Sequence, residues 1–398
     1  MSSPSSSAAM PPHTPVKQTP LCAWHQAHGA RLVDFSGWQM PLQYGKVVSE
    51  HMAVREAAGL FDIAHMGLVV LSGADAGTIA DLLNPLVPQD LTTLTPGKAV
   101  YTQFCNESGG IIDDIIVYRL PDDLNPTLFP GFQGMLVICN AGNTDRDMAW
   151  MRGQLPDTVT MNLMNPGFSL LALQGPRFAE VLRRLDNPPS TDVLPDRFHL
   201  RAAEPGGIPV LLSRTGYTGE DGVEIIVANA QVSDLWEALL AAGQPLGVAP
   251  VGLAARDTLR LEAAYPLHGH DISESDTPLE AGLGWSLRLK QTGGFIGKAA
   301  LTAEKANGSA RQFVCFRLNG KSIPRQHDAL LLNGEPVGEV TSGSISPVLN
   351  APIGMGYVRS GSNPLQPGDT LMVRIRGSRL EPAEVVARPF YRPGGGAA

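Results

Sequence analysis

Nothing in this 398-residue sequence approaches the ~20 consecutive apolar residues of a membrane-spanning helix, so an integral membrane protein is not expected. Cysteine is scarce. Cys22, Cys105, Cys139 and Cys315 lie far apart without a Cys-x-x-Cys pair, which leaves zinc sites, iron–sulfur sites and a disulfide framework unsupported and suits a reducing compartment. Charge is also sparse, at 17% of residues, and its balance of −8 argues against broad binding to a phosphate backbone. Nucleic acid is therefore not an expected partner, although a local basic patch for a small anion remains open. The stretch from Met1 to Gln18 has Lys17 as its only Lys or Arg and contains no apolar core. It reads as a disordered arm, neither a signal nor an Arg-rich transit peptide, and the protein is expected in the cytoplasm.

What is present is a globular composition, 43% hydrophobic, on a chain long enough for two or three domains. The most informative stretch is Gly109-Gly110-Ile111-Ile112-Asp113-Asp114-Ile115-Ile116-Val117-Tyr118, a glycine turn entering a β-branched strand with two adjacent carboxylates. Side chains alternate faces along a strand, and both faces here are otherwise apolar. One carboxylate is thus forced into or beside an apolar region, where it needs a partner. It is either an acceptor for turn hydrogen bonds or a site acid.

The segment KVVSEHMAVREAAG has helical spacing, with Gly59 as its C-cap before a strand at Leu60–Ile63. His25, His28, His51 and His65 lack the spacing of a His-Glu-x-x-His helix and read as core or capping residues, so no metal site is expected. A strand at Leu68–Ser72 and a helix at Ala76–Leu83 precede a hairpin of Ala99–Cys105 with the aspartate strand, across which Tyr101 and Asp113 could meet. After a strand at Met135–Asn140, Asn143 caps a helix whose Asp145, Arg146 and Asp147 read as a solvated first turn.

Residues 170–185 repeat the strand, turn and helix grammar of residues 67–83, which suggests a duplicated α+β unit. Next, SRTGYTGEDGVEI joins two strands through a loop whose glycines would let backbone approach a ligand. Glu220 and Asp221 suit a solvated tip, while Glu224 lies on an apolar strand and shares the predicament of the aspartates. Arg256 and Arg260, one helical turn apart, repel unless an acid or anion bridges them. Residues Trp285 to Lys290 alternate like a half-exposed basic strand, and a short helix and linker run from Gly294 to Ala310. Beyond Arg311, short strands punctuated by proline and an Asn333-Gly334 hairpin signal indicate an all-β module.

Together these stretches resemble one family, the aminomethyltransferase or T-protein of the glycine cleavage system. HGARLVDFSGWQMPLQYG, GLFDIAHMG, GGIIDDIIVY, SRTGYTGEDGVEI, GLAARDTLRLEA, YPLHGHDI, TPLEAGLGW, FIGKAAL and VGEVTSGSISPVL occur in the family's order over about residues 19–391. Departures are an Ala64 where Ser is common and the extra N-terminal arm. The resemblance implies an α+β fold with two folate-binding domains of antiparallel sheet and helices, plus a C-terminal β-barrel, in a clover-leaf. The first domain would take residues 19–66 with 155–285 and the second 67–154. A connection over 286–310, the barrel over 311–391 and a frayed tail over 392–398 would follow the arm of 1–18.

The implied reaction moves the methylene of an aminomethyl group from the lipoyl arm of the partner H-protein to tetrahydrofolate. Its products are ammonia, 5,10-methylenetetrahydrofolate and the dihydrolipoyl H-protein. Carried over by position, Asp113 matches the acid beside the reacting folate nitrogens and Glu224 the acid that binds the pterin. Tyr217 and Tyr101 match ring-contacting tyrosines, Arg256 an arginine of the site, and Asn140 a residue near the pterin. Two relatives of the fold compete with this reading: a tetrahydrofolate-dependent O- or S-demethylase, and a non-enzymatic folate-binding iron–sulfur assembly factor. The second carries a Lys-Gly-Cys-aromatic motif where this chain has Gly293-Gly294-Phe295-Ile296-Gly297-Lys298.

Overall fold

The structure, a computed structural model, describes residues 16–185, 194–290, 293–361 and 364–394. Most of the expected N-terminal arm and the last residues of the expected tail lie outside them. The arm's final residues are ordered by pairing: Lys17 and Gln18 run parallel to Trp38 and Gln39 in a small three-stranded sheet.

Two larger sheets pack face to face. One orders its strands Ala99–Cys105, Ile111–Arg119, Met135–Cys139, Gly67–Ser72 and Thr160–Leu163, all antiparallel. The other runs Leu200–Ala203, Val210–Ser213, Gly222–Ala228, Phe168–Gln174, Gly59–Asp62 and Ala249–Pro250. Between them Leu68, Val70, Tyr118 and Leu136 of the first sheet meet Phe61, Leu170, Ala172 and Ile226 of the second. Helices Ala76–Leu83 and Thr144–Gln154 cover the outer face of the first sheet, through Ile79, Leu83 and Met151. Helices Phe178–Arg183 and Val232–Gly243 cover the second, through Val181, Leu182, Leu235 and Trp236. Strands buried on both faces need apolar residues at nearly every position, which is why LVVLS and SLLALQ show no alternation. Each such side chain contributes roughly 1.5–3 kcal/mol of burial.

Residues from Arg311 form a closed six-stranded barrel around Val314, Phe316, Val340 and Val373. Asn333 and Gly334 take the positive φ values, 52° and 86°, of the expected hairpin turn. The barrel docks on helix Leu253–Glu262, where Leu261 and Ala264 pack with Cys315, Ile353, Met355 and Phe390. Asp271 seals this joint, accepting hydrogen bonds from Arg260 at 2.6 Å, Thr341 at 2.5 Å and Ser342 at 2.9 Å.

Three local expectations fail for packing reasons. The basic strand from Trp285 to Lys290 is instead a single 3₁₀ turn at Gly284–Ser286, because Ser286 is buried and donates to Gln103. Gly59 opens a strand rather than capping the preceding helix, which ends at Glu56. A Cβ at this glycine would stand 2.4 Å from Val54 and 2.6 Å from Val251, so packing demands it. Glu220 is not solvated: it pairs with the buried Arg55 at 2.9 Å.

Candidate active site

The hairpin around Asn106–Gly110 sets the register of the aspartate strand. Its Asn106 side chain accepts from the backbone of Ser108 and Gly110, and a Cβ at Gly110 would collide with the carbonyl of Glu274. A bulge between Phe104 and Cys105 then places Asp113 opposite Phe104 and Asp114 opposite Gln103. Tyr101 faces Ile116 across the ladder, so it meets Asp114 rather than Asp113: its hydroxyl donates to Asp114 Oδ2 at 3.1 Å.

The two aspartates part company across the sheet. Asp113 lies on the helix-covered outer face and is fully buried. It accepts from the Asn140 backbone at 3.1 Å, from Asn140 Nδ2 at 2.9 Å and from Asn143 Nδ2 at 2.5 Å. Asp114 shares the inner face with Ile116 and Tyr118, is half-buried, and takes a 2.9 Å hydrogen bond from the same Asn140 amide. Burial first, and the charge of Asp113 second, push its carboxyl up to about 7 against the hydrogen bonds of Tyr101 and Asn140.

The facing sheet supplies Glu224, on the inner face with Ala172 beside it and Ile226 two residues on. Thr215 donates to its carboxylate at 2.6 Å, and Tyr118 from the aspartate strand reaches Thr215 at 3.2 Å and Ser213 at 2.9 Å. Burial raises the Glu224 carboxyl; the Thr215 hydrogen bond and the charge of Arg256 oppose it. Arg256 projects from helix Leu253–Glu262 with its guanidinium 4.9 Å from the Tyr217 ring centroid. It does not share an acid with Arg260, which is paired with Asp257 and Asp271. Tyr217 stacks on Tyr265 and donates to the Pro266 carbonyl, and Tyr101 stacks on Trp285, a residue that is 61% exposed.

Asp114, Tyr101, Tyr217, Arg256 and Glu224 are thus linked into one group by hydrogen bonding, ring contact and charge, with Asn140 behind the aspartates. The glycines of the Tyr217 loop approach protein rather than open space: a Cβ at Gly216 would strike the Gln174 side chain. Sequence reasoning missed Asn143, whose side chain does not cap its helix but bridges Asp113 and His268 Nδ1, the latter at 3.0 Å. Thr215 and Trp285 were missed as well, though both lie inside motifs already singled out. His25 and His51 are held by Asp62 at 2.9 Å and Glu262 at 3.0 Å. Among the described residues no group of three or more His, Cys, Asp or Glu is arranged to hold a metal ion.

With this geometry in place, comparison with known proteins is decisive. Residues 21–291 match the family described as the GCVT N-terminal domain, and residues 311–392 match the glycine cleavage T-protein C-terminal barrel domain. The chain belongs to the glycine cleavage T-protein family. The aminomethyltransferase of Synechococcus sp. is 44% identical over 94% of this chain and 98% of its own length. That of Halothermothrix orenii is 40% identical over 94% and 100%, and that of Bacillus subtilis 38% over 95% and 99%. The solved aminomethyltransferase T of the glycine cleavage system from Bartonella henselae has 33% identity and a TM-score of 0.83, covering 95% of this chain and 99% of that one. The T-protein fold of two α+β sheet units and a C-terminal barrel is the architecture described above.

Proposed function

We propose that this chain transfers the methylene of an aminomethyl group, carried on the lipoyl arm of an H-protein, to tetrahydrofolate. The methylene exchanges its bonds to sulfur and to the amine nitrogen for bonds to two folate nitrogens. The two protons those nitrogens give up leave on ammonia and on the dihydrolipoyl thiol, and 5,10-methylenetetrahydrofolate results.

The observation that carries the reading is Asp114 on the inner face of its sheet, hydrogen-bonded by Tyr101 and Asn140 with its carboxyl pushed up to about 7, across from the face that carries Glu224. A carboxylate poised there can orient a folate nitrogen, take its proton and stabilise positive charge on the methylene in transit. This moves the reacting acid one residue from Asp113, which the burial of Asp113 behind the sheet favours. Glu224, pre-aligned by Thr215, suits the paired N–H donors of a pterin edge. Tyr101, Trp285 and Tyr217 offer ring faces, and Arg256 meets anionic charge. Asn140 fixes both aspartates. The four cysteines are free and buried, and no helix among the described residues is long and apolar enough to cross a membrane, which suits a cytoplasmic enzyme.

The test is turnover with tetrahydrofolate and aminomethyl-loaded lipoyl H-protein, reading ammonia and methylenetetrahydrofolate together. Equal formation of both supports the reading. Tight folate binding without either product would replace it with a demethylase.

A further inference from the structure

The helix Thr144–Gln154 lies over the outer face of the aspartate strand, and its first turn is not the solvated run of charges that the sequence suggests. Asp145 is exposed, but Asp147 is fully buried. Asn143 and Asp147 are one turn apart on the same side, so the face that brings Asn143 to Asp113 brings Asp147 as well. Asp113 is within hydrogen-bonding reach of Asp147. Yet neither Asp147 oxygen meets an N–H or hydroxyl donor among the described residues. Asp113, by contrast, already has three amide donors.

Two adjacent buried carboxylates do not both stay ionised when one of them has only a thiol, the weak S–H donor of Cys139, to meet it. We infer that Asp147 is a positioning residue, kept as the neutral acid, whose O–H donates to Asp113 and so pins the Asn140 amide that holds Asp114. The surrounding groups agree with this placement of the proton. The Cys139 thiol stands beside Asp147 on the adjoining strand and stays protonated, its thiolate disfavoured by burial and by the two aspartates. Arg146 points away, to Glu274 and the Ile112 carbonyl. Asp114 acts on Asp113 through charge and through the shared Asn140 amide, while Tyr101 and His268 reach the pair through Asp114 and Asn143. Burial and the charge of Asp113 push the Asp147 carboxyl up to about 10.

The inference rests on the reading of Asp114 as the reacting acid only for its effect on turnover; the protonation itself is measured separately. Infrared difference spectra of wild type against Asp147→Asn at pH 9, where Asp114 is ionised, should show one carboxylic-acid carbonyl band, sensitive to deuterium, that the variant lacks. An Asn side chain keeps a donor to Asp113 and does not titrate. The melting temperature of Asp147→Asn should therefore rise relative to wild type as pH goes from 5 to 9, since only wild type must keep a proton that its unfolded chain releases. In the assay Asp147→Asn should stay within about threefold of wild type, while Asp147→Leu, which has no donor, should lose about tenfold or more in kcat. Absence of the acid band, a constant gap in melting temperature, or equal turnover of the Asn and Leu variants would each overturn the inference. Full turnover by Asp114→Asn with the band intact would instead sink the reading of the site.

Discussion

Asp113 and Asp114, neighbours in the chain, face opposite sides of one sheet and are joined by a single amide: Asn140 Nδ2 lies 2.9 Å from an oxygen of each. The outer aspartate is a buried anchor and the inner one faces the inter-sheet space. Burial first, and its negative neighbour second, push the inner carboxyl up to about 7, where a group can both accept and return a proton at physiological pH.

Replacing Asp114 by Asn should lower kcat by about 100- to 10,000-fold, the range of a positioned acid–base group. The fold should persist, because the substitution removes a partly buried charge that repels Asp113. Steady-state turnover together with thermal melts checks both halves.

The acid limb of the rate profile should fall near pH 7 and move in opposite directions in two variants. Asp113→Asn removes the like charge that raises Asp114, so the limb moves to lower pH. Tyr101→Phe removes a hydrogen bond that favours the ionised form, so it moves to higher pH. Profiles of kcat/KM from pH 5 to 9 would read the two shifts; movement in the same direction would remove Asp114 from the role.

Glu224→Gln should weaken tetrahydrofolate by about 1.5–3 kcal/mol, the worth of hydrogen bonds to a charged group. Thr215→Ala, which takes away the 2.6 Å hydrogen bond orienting that carboxylate, should cost less. Calorimetric titration measures each, and affinity for the H-protein should be unchanged in both.

Acid should unfold the protein through Asp62 and Glu262. Burial alone would raise both, but hydrogen bonds and charge from His25, and from His51, Ser346 and Arg55, hold them below the ordinary carboxylate values. Because the unfolded chain binds those protons more readily, the stabilisation is complete above about pH 4 to 5 and is lost as pH falls through the folded values. Melting temperature should drop steeply below pH 4, and the gap between wild type and Glu262→Gln should hold between pH 7 and 5 and close below pH 4. Glu262→Gln strips a buried partner from Arg55 and His51 and should cost about 3–5 kcal/mol at pH 7 in denaturant titrations.

The sequence by itself determined the elements and their order. Turn residues such as Asn106 and Asn333-Gly334, helical spacing in residues 47–56 and 76–83, and β-branched runs act over a few residues and leave their mark in composition. It also carried the family motifs that contain Glu224, Arg256 and Tyr217. Tertiary structure alone decided which aspartate faces the second sheet. Alternation cannot choose a face for a strand apolar on both sides, and the choice came from a bulge at Phe104 and from the second sheet packing over Tyr118. The same holds for Asp147, Glu220 and Ser286, polar residues whose local sequence reads as surface. Their burial depends on a helix, an arginine and a glutamine brought from elsewhere in the chain, and no short-range pattern encodes partners at that distance.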